Sequence, residues 1–418
     1  MEQFSSTGAK HTFVILPTTL FKTNLKSFSK VIVYEHPHYI NNRMHPMKLW
    51  FHRATMLEYY NKLDHPNKEY VKHNKKLSMK GCVSFDPIDY IKLDNIIESP
   101  GFLLKHSDMP DINMKTQSSF YRRMRIKYNI LMDGDKPIGG KWSYDDNNRE
   151  KYHNQAKDVI LLHKPLGSEI MTELPNKYGI PKCDNLMYHT KRETILKHLK
   201  SFIKKISMFG PTQDAIDKTI VFGNHSCLSM YLNIGLITVI DVLTELSKVS
   251  IVNLSSTEGF IRQIIGWREY IRMKWVMNRS YNWSYLKDQN KSIPKAWYSG
   301  ETGYNILDWC ISRVITHAYV SHIERLMILL NYGLFLGVKY DHMKKFFVEF
   351  FIDGYDWVMV NVDMATNSLS DNKFMTRVYL TNGNYLTKMG LTMFDNKLVD
   401  IYQKFLEKTA MARPGAAA

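Results

Sequence analysis

The chain has 418 residues, and its 56 lysines and arginines outnumber its 40 aspartates and glutamates, leaving a net charge of +16. A surplus of that size favours a polyanionic partner over an acidic surface. Hydrophobic residues make up 44% and aromatics 13%, with 21 glycines, 14 prolines and no long internal repeat, so wholesale disorder, collagen-like chains and solenoids are excluded.

The N-terminal run MEQFSSTGAKHTF carries Glu2 and no apolar core, so it does not resemble a secretory signal. The expected setting is a reducing one, cytoplasmic or nucleoid/nuclear and not secreted. The next hundred residues alternate β-rich runs with helical patterns: HTFVILPTTL, KVIVYEH, a helix from Met47 to Leu63, and a strand-like run at Tyr90–Lys92. This order predicts an α/β domain with a parallel, Rossmann-like sheet over residues 1–115, although no G-x-G-x-x-G follows the first strand.

From 116 to 184 the pattern weakens into loops and short helices, with turn signals in MDGDKPIGGKWSYDDNNRE and a basic cluster in SFYRRMRIKYNI. This stretch reads as an interdomain connector. Residues 185–410 are helix-length amphipathic runs, among them SMYLNIGLITVIDVLTELSKV and ILDWCISRVITHAYVSHIERLMILLNYGLFL, and predict a larger all-α C-terminal domain. The most apolar stretch, Met230 to Leu246, is interrupted by Asn233 and Asp241 and falls short of a membrane span. Cys82, Cys183, Cys227 and Cys310 form no C-x-x-C pair, so buried free thiols are expected, and the terminal ARPGAAA reads as a frayed end.

Three helical segments carry polar groups where a core would place aliphatic ones. In NHSCLSMYLNIGLIT, Ser226 and Ser229 stand three apart at an expected helix start, where hydroxyls and free N–H groups suit a phosphate. An N-cap followed by core packing explains the same residues. In EGFIRQIIGWREY, Arg262, Gln263, Trp267, Arg268 and Glu269 crowd one helix, and Trp267 beside Arg268 offers a stacking surface next to an anion-binding guanidinium. THAYVSHIERLM followed by FFIDGYDW supplies His317, His322, Arg325 and Asp353, and a buried Arg demands a carboxylate for structural reasons alone.

Taken with ESPGFLLK, FYRRMRIKYNILMDGDKPIGGKWSYDDNNR, WYSGETGYN, HIERLM and NGNYLTKM, these segments resemble the cryptochrome/photolyase superfamily, most closely its iron-sulfur bacterial branch of photolyase-related proteins. The resemblance implies a monomeric, FAD-binding flavoprotein that uses blue light to repair pyrimidine dimers in UV-damaged DNA, without a membrane partner. It places Ser226, Leu228 and Ser229 at the FAD phosphates, makes Gln263 and Arg268 cofactor contacts, and sets Arg325 and Asp353 as a salt-bridged pair beside the isoalloxazine, with Met359 facing flavin N5. Trp267 would face the lesion. His322 matches the proton donor of (6-4) photolyases, a task suited to imidazole, although the preceding residue, often a second His in the family, is Ser321. Arg122, Arg123, Arg125 and Lys127 would contact DNA phosphates.

Departures from the branch are equally specific. Ile306 stands where its first cluster cysteine falls and no Cys follows NYLTKM, so no [4Fe–4S] cluster and no other metal is expected. Tyr298 and Phe346 replace the two tryptophans of its electron relay. An antenna chromophore, a ribityl lumazine in this branch, is left open because no residue marks its pocket. The expectation is therefore a photolyase favouring the (6-4) photoproduct over the cyclobutane dimer; the alternative is a flavin photoreceptor without repair activity.

Overall fold

A computed structural model of the chain describes residues 11–114, 116–147, 150–152, 177, 188–277, 290–360, 380–381, 383–391 and 395–411. Cys183, much of the expected connector and the terminal ARPGAAA lie outside the described residues.

Five short strands, β1 (Thr12–Ile15), β2 (Lys30–Tyr34), β3 (Lys68–Val71), β4 (Val83–Phe85) and β5 (Asn95–Ile97), form one sheet in the order β3-β2-β1-β4-β5. All neighbours are parallel. The sheet is thus Rossmann-like, and its order reverses between β1 and β4. The run Tyr90–Lys92 is not a strand. It lies in the loop between β4 and β5, where Tyr90 is exposed and packs edge-on against Trp275.

Helix α1 (Pro46–Lys62) begins on His45, whose Nδ1 accepts from Met47 N at 3.1 Å, with Pro46 as the first helical residue. Every residue from Pro46 to Met56 is buried, including Lys48, His52 and Arg53, because the helix is wedged between the sheet and the helical half. Lys48 Nζ donates to Val348 O and Gly354 O, and His45 Nε2 donates to Ile315 O at 2.8 Å. Burial pushes the Lys48 ammonium down to about 8, against the pull of Asp89 and Asp353.

Apart from a two-stranded antiparallel ribbon, Met132–Asp133 with Lys136–Pro137, the main remaining elements are helical: α2 (Gln117–Tyr128), α3 (Arg192–Lys204), α4 (Ser229–Asn233), α5 (Val239–Leu246), α6 (Leu254–Ile261, continuing through a π-helical Arg262–Arg268 into Glu269–Met277), α7 (Asn305–His317), α8 (His322–Glu324, then π-helical Arg325–Leu330 and Asn331–Phe335), α9 (Tyr340–Phe350), α10 (Gly383–Lys388) and α11 (Asn396–Met411). One hydrophobic core joins the sheet to α1, α4 and α6, and a second lies among α7, α8 and α9. Two runs expected to be continuous helices are broken. Gly235, at φ +83°, separates α4 from α5, and a Cβ there would meet the Phe21 ring at 2.6 Å. Ala318, left-handed at φ 52°, ends α7 before Ser321 caps α8. Among the described residues, no helix is long and apolar enough to cross a membrane.

Candidate flavin and substrate site

Three segments remote in sequence meet at Asp353, which follows α9. Its Oδ1 accepts from Arg325 Nη1 at 2.8 Å and its Oδ2 from Ser229 Oγ at 2.6 Å, while its carbonyl accepts from Asn233 Nδ2 at 3.1 Å. Arg325 is further held by Nε donating to Val320 O at 2.9 Å, and its guanidinium lies 4.4 Å from the Phe351 ring centre and 5.0 Å from that of Tyr319. Burial works against the Arg325 charge, but Asp353 overrides it and raises the guanidinium above its ordinary value. Among the described residues, Nη2 of Arg325 donates to none.

Ser226 is not on the helix of Ser229. Cys227 adopts a left-handed conformation, φ 49°, and α4 begins only at Ser229, so the two serines do not share a helical face. Ser226 instead presents its carbonyl to His198 Nε2 at 2.7 Å, and Leu228 is buried in the core.

Arg268 reaches the same region from α6. Nη1 donates to Gly101 O at 2.9 Å and Nη2 to Leu232 O, on α4, at 3.1 Å, while the guanidinium stacks 3.8 Å from the Phe102 ring centre. Nε has no acceptor among the described residues. Burial pushes the guanidinium down to about 9, with Glu269 opposing. The neighbouring Glu269 is itself buried and accepts from Leu103 N at 2.7 Å, clamping ESPGFLLK onto α6.

His322 opens α8 one turn before Arg325 and is exposed; its Nε2 lies 3.4 Å from Asp214 Oδ1, and its ring meets that of His225 edge-on at 6.0 Å. Ser321, in place of a second histidine, caps α8 in a reciprocal box with Glu324, which pairs with Arg313 at 2.7 Å.

Comparisons with known proteins agree with this architecture. Residues 84–174 match the family model described as deoxyribodipyrimidine photo-lyase-related protein. A (6-4) photolyase of Agrobacterium fabrum is 32% identical over 287 residues, covering 66% of this chain and 56% of that protein, so the chain spans little more than half the length of that relative. The fold aligns with a Sulfolobus tokodaii photolyase solved with two FAD molecules (TM-score 0.57, 13% identity, 97% of this chain and 92% of that one) and with a Synechocystis cryptochrome (TM-score 0.56, 12% identity, 95% and 87%). The chain belongs to the cryptochrome/photolyase superfamily.

Of the residues that the superfamily's motifs single out, Ser229, Arg325 and Asp353 are in direct contact, and Arg268 joins them through Leu232. Trp267 and Gln263 are half-buried on α6, and Met359 is buried in the second core with its carbonyl facing Tyr340 Oη at 3.4 Å. The basic run divides. Arg122 and Arg123 are exposed on α2, and Lys127 pairs with Asp108 at 3.2 Å. Arg125 departs from the expectation of a DNA contact: it is fully buried, and its three guanidinium nitrogens donate to the carbonyls of Ile130, Trp142 and Leu131. Its helix spacing from Tyr121 turns it inward, where it holds the connector together.

The residues present fit a flavin dinucleotide. Two guanidiniums, Arg325 and Arg268, each keep a nitrogen without an acceptor among the described residues, a deficit that an anionic ligand would fill. Ile306, at the first cluster position, is a core residue of α7, as is Cys310 one turn later. At the relay positions, Tyr298 and Phe346 are ring neighbours 6.0 Å apart, and Phe346 stacks on Phe350 at 4.8 Å. Asp214, beside His322, was not legible as a site residue, since it stands in no motif.

Proposed function

We propose that the chain is a light-dependent DNA photolyase that uses reduced FAD to reverse UV-induced pyrimidine dimers, with the (6-4) photoproduct as its favoured lesion. The observation that carries this reading is the Ser229–Asp353–Arg325 network, a preorganised charge pair within a helical fold shared with photolyases. When bound, the reduced flavin supplies one electron to the lesion on excitation. The chain's own residues do the rest. Ser229, with the main chain at Ser226 and Leu228, would hold the phosphate side of the cofactor, Arg268 and Gln263 would orient it, and Arg325, fixed by Asp353, would stand beside its electron-rich ring, with Met359 on the apolar side.

His322 holds the proton that the lesion takes up, with Asp214 at 3.4 Å orienting the ring. Trp267 offers a flat surface to the flipped lesion. Arg122 and Arg123, with Lys127, neutralise phosphates on either side. The working unit in this reading is a monomer in a cytoplasmic or nucleoid setting, divided into an α/β domain to residue 115, a connector and a FAD-binding domain from 185; an antenna chromophore stays an open addition.

The test is the His322→Asn variant on two defined duplexes under blue light with reductant. A loss of about 100-fold or more in (6-4) repair, with lesion binding kept, is expected; unchanged repair contradicts the assignment. The second reading, a photoreceptor without repair, requires light-driven flavin reduction, and Phe346 at a relay position weighs against it because a phenyl ring is not readily oxidised.

A further inference from the structure

The seam between the sheet and the helical half holds a group of side chains that the flavin reading does not use. His38 stands in the loop after β2, Asp89 in the loop after β4, and Asp356 opens the turn that follows α9. His38 Nε2 lies 3.1 Å from Asp356 Oδ2 and 3.7 Å from Asp89 Oδ2, and the three potential donor atoms fall within 4.8 Å of one another. Nitrogen and oxygen ligands at about 2.1 Å from a tetrahedral ion stand ~3.4 Å apart, so one ion suits this spacing.

Asp89 marks a demand for positive charge at this place. Its side chain is 1% exposed, faces the Asp356 carboxylate and stands 3.7 Å from His38 Nε2, beyond hydrogen-bond reach. A buried pair of carboxylates is costly unless positive charge joins it, which either a proton on His38 or a bound cation supplies. The nearby Lys48 ammonium is directed elsewhere, to the carbonyls of Val348 and Gly354 and over the Tyr355 ring at 4.6 Å. Topology points to the same place: β2 and β4 flank β1, where the strand order reverses, and the crevice beyond the carboxyl ends of such strands is where open α/β sheets bind ligands.

We propose that His38, Asp89 and Asp356 bind a divalent first-row transition-metal ion, with zinc the best match. One imidazole with two carboxylates favours zinc over magnesium or calcium, which take oxygen ligands. Three protein ligands leave a fourth position open, and His38 and Asp356 both line a cavity of about 410 Å³ that also presents Arg43, Lys344 and Glu349. The ion ties two loops of the α/β domain to the segment that carries Asp353.

The experiment uses the full chain as purified. After treatment with a chelator, zinc, manganese and magnesium chlorides are added singly, bound metal is measured by elemental analysis after gel filtration, and the melting temperature is read in parallel. One zinc per chain, a raised melting temperature, and weaker retention of manganese and magnesium are expected. Asp89→Asn and His38→Gln weaken zinc binding by more than the roughly 10–100-fold that loss of an outer-shell partner costs. Asp356→Asn, at a partly exposed position, gives the same readout if the Asp89 variant does not fold. Zinc retained by all the folded variants, magnesium bound as tightly as zinc, or no stoichiometric zinc on the unaltered chain overturns the proposal. None of these readouts depends on flavin or repair.

Discussion

Asp353 takes a hydrogen bond from Ser229 and an ion pair from Arg325 on different oxygens, so a single substitution there releases two elements. Asp353→Asn removes the charge and one acceptor while keeping the shape. Truncating one partner of a buried charge pair costs about 2–5 kcal/mol, and the expected outcome is loss of bound FAD, read as the ratio of flavin to protein absorbance after gel filtration. A variant as yellow as the parent contradicts the role given to the pair. His45 carries a prediction on stability. Its Nδ1 accepts the cap bond from Met47 and its Nε2 donates to Ile315, so both nitrogens are engaged only in the neutral ring. Burial, reinforced by Lys48 and His317 and only partly offset by the Ile315 carbonyl, pushes it from 6.5 down to about 4. The unfolded chain therefore takes the proton first. His45 contributes fully above pH 6.5, and about 3 kcal/mol is lost as pH falls through 4. Urea midpoints at several pH values test this: His45→Asn flattens the acid slope, and an unchanged slope refutes it.

At the scale of elements, α6 is held to α2 by a close approach that only glycine permits. A Cβ on Gly266 would stand 2.7 Å from Gln117 Nε2 and 3.1 Å from the Tyr121 ring. The Gln117 amide swings away at little cost, whereas the buried ring does not. Gly266→Ala is expected to destabilise the chain by about 1–3 kcal/mol, read as a fall in the urea midpoint; a midpoint at or above the parent's contradicts the tight packing. The helices of this half were legible because their apolar spacing runs for several turns. Their breaks at Gly235 and Ala318 were not, since each depends on a left-handed backbone that tertiary packing imposes. The three-residue strands β4 and β5 were missed for a related reason: alternation over so few residues carries no period.

Across the whole molecule, the positive charge is divided between interior and surface work. Arg125 is spent inside α2, whereas Arg122 and Arg123 on the same helix face solvent. The double substitution Arg122→Glu/Arg123→Glu is expected to weaken DNA binding alike for damaged and undamaged duplexes and to lower the slope of log K against log salt by about 2. Arg125→Met instead lowers the melting temperature, and the reverse pattern would reassign the helix. The contacts among Ser229, Arg268, Arg325 and Asp353 were legible because these residues lie in short linear motifs, whereas the left-handed Cys227 that keeps Ser226 off α4 was not. The group at His38, Asp89 and Asp356 was not, because three separate loops assemble it only when the sheet docks on the helical half. Whether the chain repairs DNA is decided by conversion of a defined (6-4) duplex by the reduced chain under blue light and in the dark, with a cyclobutane-dimer duplex alongside. Light-dependent restoration of the (6-4) duplex, faster than that of the cyclobutane dimer, is predicted; a chain that binds flavin and repairs neither lesion is not a photolyase.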